Sequence, residues 1–133
     1  MWSKGLERVL RRLQRAGIPT LVVHTVPQWL DWYSHGCAVV RVYYAPRSCG
    51  ATQSRATVND FRRQALIAER RAVSTVPVAS AVDFIAQLCS PTTCATNHGD
   101  EWLYRDGRHL SVAGAIGLTD HFAAAIAAAL RST

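Results

Sequence analysis

The run Thr20, Leu21, Val22, Val23, His24, Thr25, Val26 constrains the fold more than any other part of the chain. It is nearly continuous in apolar and β-branched residues, which suits a buried strand of a parallel sheet rather than a strand with one wet face. Ahead of it, Leu6, Val9, Leu10 and Leu13 recur at three- and four-residue steps and mark one buried helix face. Gly17 and then Pro19 stop that helix. Helix, short turn and buried strand in this order are the return half of a β-α-β unit, so the class expected is α/β, with the unit's first strand ahead of Met1. His24, inside the run, reads as a histidine satisfied by its neighbours in the core.

The rest of the chain continues the alternation, with one interruption. Between residues 27 and 56 periodicity fails: Trp29, Trp32, Tyr33, Tyr43 and Tyr44 are interleaved with Gly36, Pro46 and Gly50. This reads as an irregular insertion at the strand's carboxyl end, where α/β sheets place their ligands. Its aromatics either pack the insertion down or line a ligand site. His35 shows no partner and is read as surface. A second helix is expected over 57–72, capped by Thr57, with Asp60 in its first turn and Val58, Phe61, Ala65 and Ala68 facing inward. A short strand over 73–78 follows, with Pro77 marking an edge. Ser80 and Asp83 then have the spacing of a capping box that would open a third helix ending at Cys89. Residues 101–104 are extended, and a last helix runs from Ser111 with Val112, Ala115, Ile116, Thr119, Phe122, Ala125, Ile126, Ala129 and Leu130 inside and Asp120 and His121 in solvent.

Between that extended piece and the last helix lies the block with catalytic chemistry, Tyr104-Arg105-Asp106-Gly107-Arg108-His109-Leu110-Ser111-Val112-Ala113-Gly114-Ala115. A histidine serving as general base needs one ring nitrogen free and the other held by an oriented acceptor, usually a carboxylate. Asp106 can reach His109 across one turn of loop. Gly107 would supply unusual dihedrals there, and Ser111 would cap the helix that follows.

The D-x-x-H-L-S-x-x-G-A string resembles the last conserved block of the SGNH/GDSL hydrolases. With an aromatic residue ahead of it and paired cysteines nearby, the chain is most similar to the SGNH domain fused to bacterial membrane acyltransferases of the acyltransferase 3 type. That resemblance implies a three-layer α/β/α, flavodoxin-like parallel sheet, an extracytoplasmic (periplasmic or cell-envelope) location, and Ser-His-Asp chemistry with His109 and Asp106 as the catalytic dyad. It implies as partners an acyl donor, a hydroxyl of a cell-surface glycan as acceptor (O-acetylation is one such reaction), and a membrane acyltransferase domain. No cofactor and no metal ion are expected. The family's nucleophile is the serine of a G-D-S motif, and no G-D-S occurs in these 133 residues. Residues 1–133 are therefore expected to be a partial domain, the C-terminal portion, inactive alone and completed by an N-terminal half. Two further readings stay open: a non-catalytic remnant or binding module, and a different nucleophile, Ser48 or Ser34.

Charge and cysteines bear on partners and compartment. The formal net charge is +6 at pH 7. Arg8, Arg11, Arg12 and Arg15 fall on one expected helix and Arg62, Arg63, Arg70 and Arg71 on another, as solvated faces. No recognised binding motif accompanies them, which argues against nucleic acid as a partner. Cys89 and Cys94 enclose a turn-rich loop and Cys37 and Cys49 bracket another. An even count in loops fits disulfides and an oxidising compartment, with free thiols or a zinc site that recruits His98 as alternatives. No apolar run approaches the roughly 18 residues of a membrane span, and the N-terminus lacks the apolar core of a signal peptide.

Overall fold

A computed structural model describes residues 2–33 and 36–131. The chain divides into two compact units, one of residues 1–25, 61–84 and 120–133, the other of residues 26–60 and 85–119.

The first unit contains the expected alternation of helix and strand. Helix α1 (Trp2–Arg15) ends in a left-handed Gly17, φ 69°, and the amide of Ile18 reaches back to the Leu13 carbonyl at 3.0 Å. That is the glycine-terminated stop read in the sequence. Strand β1 (Thr20–Val23) pairs in parallel with β3 (Ala79–Val82), Thr20 opposite Ala79 and Val23 opposite Val82. Leu10 of α1 and Ala72 and Val76, in and just beyond α3 (Arg55–Ser74), form the buried centre, with Leu6, Val22, Val73, Val78 and Ala79 packed on it. Phe84 meets Phe122 of α6 (Thr119–Arg131) at 4.5 Å.

Several sequence expectations shift here. β1 is shorter than residues 20–26, and Val23 is 39% exposed, so the strand is not buried on both faces. The strand expected at 73–78 lies at Ala79–Val82, where a helix start was expected. Helix α3 continues through Val73, a turn follows in which the Val76 amide reaches the Val73 carbonyl, and pairing with β1 then claims residues 79–82. Ladder formation overrides the local capping signal, and the third helix shrinks to α4 (Ile85–Leu88). Ser54, not Thr57, caps α3, its Oγ accepting from the Thr57 amide at 3.0 Å. The buried stripe of α3 is Val58, Arg62, Leu66, Glu69 and Ala72, while Phe61 is 51% exposed. Arg62 is thus a core residue rather than part of a solvated face: its Nη2 donates to Asp83 at 2.6 Å and its Nε to the Thr25 carbonyl at 2.7 Å. Asp83 is the ion-pair partner of Arg62, and the helix start expected at Ser80 is absent because Ser80 lies in β3. His24 is buried against Glu69, with 2.6 Å between Nδ1 and Oε2, satisfied as expected.

The second unit has little periodic structure. It contains α2 (Val39–Tyr44), a 3₁₀ turn (Pro46–Ser48), the antiparallel pair β2 (Thr52–Ser54) and β4 (Thr93–Ala95), the small hairpin β5 (Asn97–His98) and β6 (Glu101–Trp102), and α5 (Val112–Ile116). Both disulfides, Cys37–Cys49 and Cys89–Cys94, are formed, which removes the free-thiol and zinc alternatives. Trp29 packs edge-on to Tyr104 at 5.7 Å and Trp32 stacks on Trp102 at 5.6 Å. The aromatics of the insertion therefore divide. Trp29 and Trp32 hold it down, and Tyr33, Tyr43 and Tyr44 face outward. The single last helix expected is two, broken at Gly117 and Leu118, with the Gly117 amide turned back to the Ala113 carbonyl.

Candidate active site

The loop between β6 and α5 owes its shape to Asp106. Its Oδ1 accepts the backbone amides of Arg108 and His109, each at 2.9 Å, a turn built on the side chain. The same carboxylate receives His109 Nδ1 at 2.8 Å on Oδ1 and 2.9 Å on Oδ2. The Arg108 amide above all holds the Asp106 carboxyl down to about 2; desolvation, next in size, works against it, and the His109 ring and amide add to the lowering. An ionised carboxylate only accepts, so Nδ1 carries the proton and Nε2 of the neutral ring is the free lone pair. His109 is 64% exposed and lines a cleft of about 330 Å³ with Trp29, Leu30, Tyr33, Asp106, Gly107 and Arg108.

The remaining letters of the block each hold this loop in place. Gly107 is not in a left-handed conformation, since Gly17 and Gly99 alone among the described residues have positive φ of that kind. It is needed for proximity: a Cβ there would sit 2.3 Å from the Trp29 carbonyl oxygen, and the Trp29 amide donates to the Gly107 carbonyl at 2.7 Å. The expected dihedral role is thereby replaced by a packing role. Leu110 bridges Tyr104, and the Arg105 amide closes on the His109 carbonyl at 2.9 Å. Ser111 caps α5 by accepting the Gly114 amide at 2.9 Å while its hydroxyl donates to the Trp102 carbonyl. Gly114 lies so close to the Leu103 carbonyl that a Cβ would approach it to 2.2 Å.

Other candidates do not join the site. Ser48 Oγ donates to the Ala45 carbonyl at 2.8 Å in the 3₁₀ turn and does not line the cleft. Ser34 and His35 lie outside the described residues. Sequence reasoning missed Trp29 as the wall against which Gly107 is pressed, and it missed the buried role of Arg62 and Glu69. The latter carried a signal: both positions continue the helical spacing of Val58, Leu66 and Ala72.

An Asp-His pair with the distal nitrogen open, on the loop before a capped helix, has the geometry that a general base requires. Residues 2–124 match the family model described as SGNH domain (fused to AT3 domains), and the chain belongs to that family. Membership makes this an acyltransferase- or esterase-type domain, associates it with a membrane acyltransferase domain, and points to extracytoplasmic placement. Among the described residues no helix is long and apolar enough to cross a membrane. No curated protein and no solved structure matches the chain.

Proposed function

We propose that His109 and Asp106 are the base and its orienting carboxylate in a Ser-His-Asp centre that moves an acyl group from an ester donor to a hydroxyl of a cell-surface glycan, or to water. The observation that carries this is the Nδ1 contact to Asp106 together with an exposed ring in a cleft. The serine hydroxyl attacks the acyl carbonyl as Nε2 takes its proton, and Asp106 stabilises the imidazolium. His109 returns that proton to the departing alkoxide, leaving an acyl-enzyme. The acceptor hydroxyl then repeats the cycle and frees the serine.

The nucleophile belongs to a segment other than these residues, which have no G-D-S sequence, so the 133 residues act as the C-terminal portion of one three-layer α/β/α domain. The parallel pairing of β1 with β3 supports that architecture. A second cleft, about 350 Å³, is suited to the acceptor: Tyr43, Trp102 and Val112 line it, and Arg105, which also lines it, approaches Asp106 at 3.5 Å. Aromatic walls with a few placed polar groups fit a sugar ring.

The missing G-D-S also favours a second reading, a non-catalytic remnant. A fluorophosphonate probe on the isolated chain should give no label under either reading, and clear labelling would reveal a nucleophile that both deny. The two readings part when the chain is joined to a segment carrying G-D-S: labelling that needs His109 supports the catalytic dyad, and labelling indifferent to His109→Ala sinks it.

A further inference from the structure

The formal charge of the chain is divided unevenly. The unit of residues 1–25, 61–84 and 120–133 has ten lysines and arginines against four carboxylates and so holds the whole +6, while the other unit has five of each. Of the four carboxylates, Glu69 is turned inward to His24, Asp83 is bound by Arg62, and Glu7 holds Arg11 at 2.8 Å. The outer face of α1, opposite Leu6, Leu10 and Leu13, presents Lys4, Arg8, Arg11, Arg12 and Arg15 to solvent. Lys4 and Arg8, Arg8 and Arg12, and Arg11 and Arg15 are like charges four residues apart, a spacing that weakens a helix. An ordinary solvated face would alternate signs there. Trp2, 63% exposed, and Val9, seven residues on, lie on the Leu6 and Leu13 side of the helix, where Trp2 lines a cleft with Gln64, Ala65 and Ala68 of α3, so the cationic face itself is uninterrupted by apolar groups.

From this we propose that the outer face of α1 docks on an anionic lipid bilayer, its arginines pairing with headgroup phosphates. Guanidinium groups match phosphate with two parallel hydrogen bonds. The fusion of this family to membrane acyltransferase domains makes a bilayer the anionic surface at hand. No nucleic-acid motif accompanies the charge. The docking surface is independent of the ester chemistry, so either reading can fail alone.

The test is co-sedimentation of the whole chain with phosphatidylcholine vesicles, with and without phosphatidylglycerol, over a salt series. Binding is expected only with the anionic lipid and should fall as salt rises. Arg8→Gln with Arg12→Gln should weaken it by about fivefold per arginine. Arg41→Gln with Arg47→Gln, the same charge change on the other unit, should leave it intact. The α1 substitutions relieve a like-charge pair and keep helix propensity, so they do not threaten folding. Equal losses from both pairs would mean that net charge and not this face binds. No pelleting with phosphatidylglycerol at low salt, including the case in which duplex DNA is bound instead, would overturn the proposal.

Discussion

The two units solve the problem of holding a chain together in different ways. The first has periodic helices, a parallel strand pair, an apolar centre on Leu10, Ala72 and Val76, and two inward-turned polar pairs, His24 with Glu69 and Arg62 with Asp83. The second relies on two disulfides, tryptophans set against carbonyls and aromatic rings, and glycines that allow backbones to touch. A periodic framework tolerates surface change and carries all the net charge. A framework of point contacts fixes a few groups closely, and there the Asp106-His109 loop is found.

The largest expected effect tests whether the second unit is the chemical one. In an active protein that contains this domain, His109→Ala should lower kcat/KM for acyl transfer or ester hydrolysis by roughly three orders of magnitude or more. Its exposed ring contributes little packing, so the thermal midpoint should hardly move. Loss of activity together with a collapse of stability would make His109 structural instead.

The next effects separate the two kinds of framework. Arg62→Ala leaves Asp83 and the Thr25 carbonyl without their buried donor and should cost about 3–5 kcal/mol, read by denaturant unfolding. Hydrogen exchange should rise first at β1 and β3. Replacing Cys37 and Cys49 by alanine should cost about 3 kcal/mol for a loop of this size, with exchange rising first around Trp32, whose Nε1 donates to the Cys49 carbonyl at 2.8 Å. If either change loosened both units equally, the contrast between them would be lost. Gly107→Ala is smaller, about 1–3 kcal/mol, because the loop can retreat from the Trp29 carbonyl. Its signature is a change in the His109 ring environment by NMR.

This division also governs what the sequence could reveal. Leu6, Leu10 and Leu13 with Gly17 made α1 and its end legible, because helix period and the left-handed stop are local properties. The position of β3 was not legible, because it depends on pairing with β1 across 59 residues, Thr20 to Ala79. Arg62 was read as surface because side-chain type says charged, whereas its bonds to Asp83 and the Thr25 carbonyl make its burial tolerable. At the site the reverse held. The Asp106 to His109 contact is local and was read from spacing alone, whereas the reason for Gly107 lay in Trp29, 78 residues away, and no local pattern encodes that distance.

The smallest effect probes the carboxylate itself. The Asp106 carboxyl is lowered from 3.8 to about 2, chiefly by the Arg108 amide. A carboxyl lowered by folding adds stability that is fully present above its unfolded value and lost as pH falls through its folded one. The contribution should therefore fade between about pH 4 and 2, and nothing should change from this source near neutrality. A carboxyl carbon chemical shift titration should give a midpoint near 2 for Asp106. In Asp106→Asn the side-chain oxygen still accepts the Arg108 and His109 amides that Oδ1 takes in the wild type, so the loop should keep its order at pH 7 and lose the acid-dependent change between about pH 4 and 2. A wild-type midpoint near 4 would mean that the amides and the imidazole do not grip the carboxylate in solution, and the dyad would then lack the orienting acceptor on which its chemistry depends.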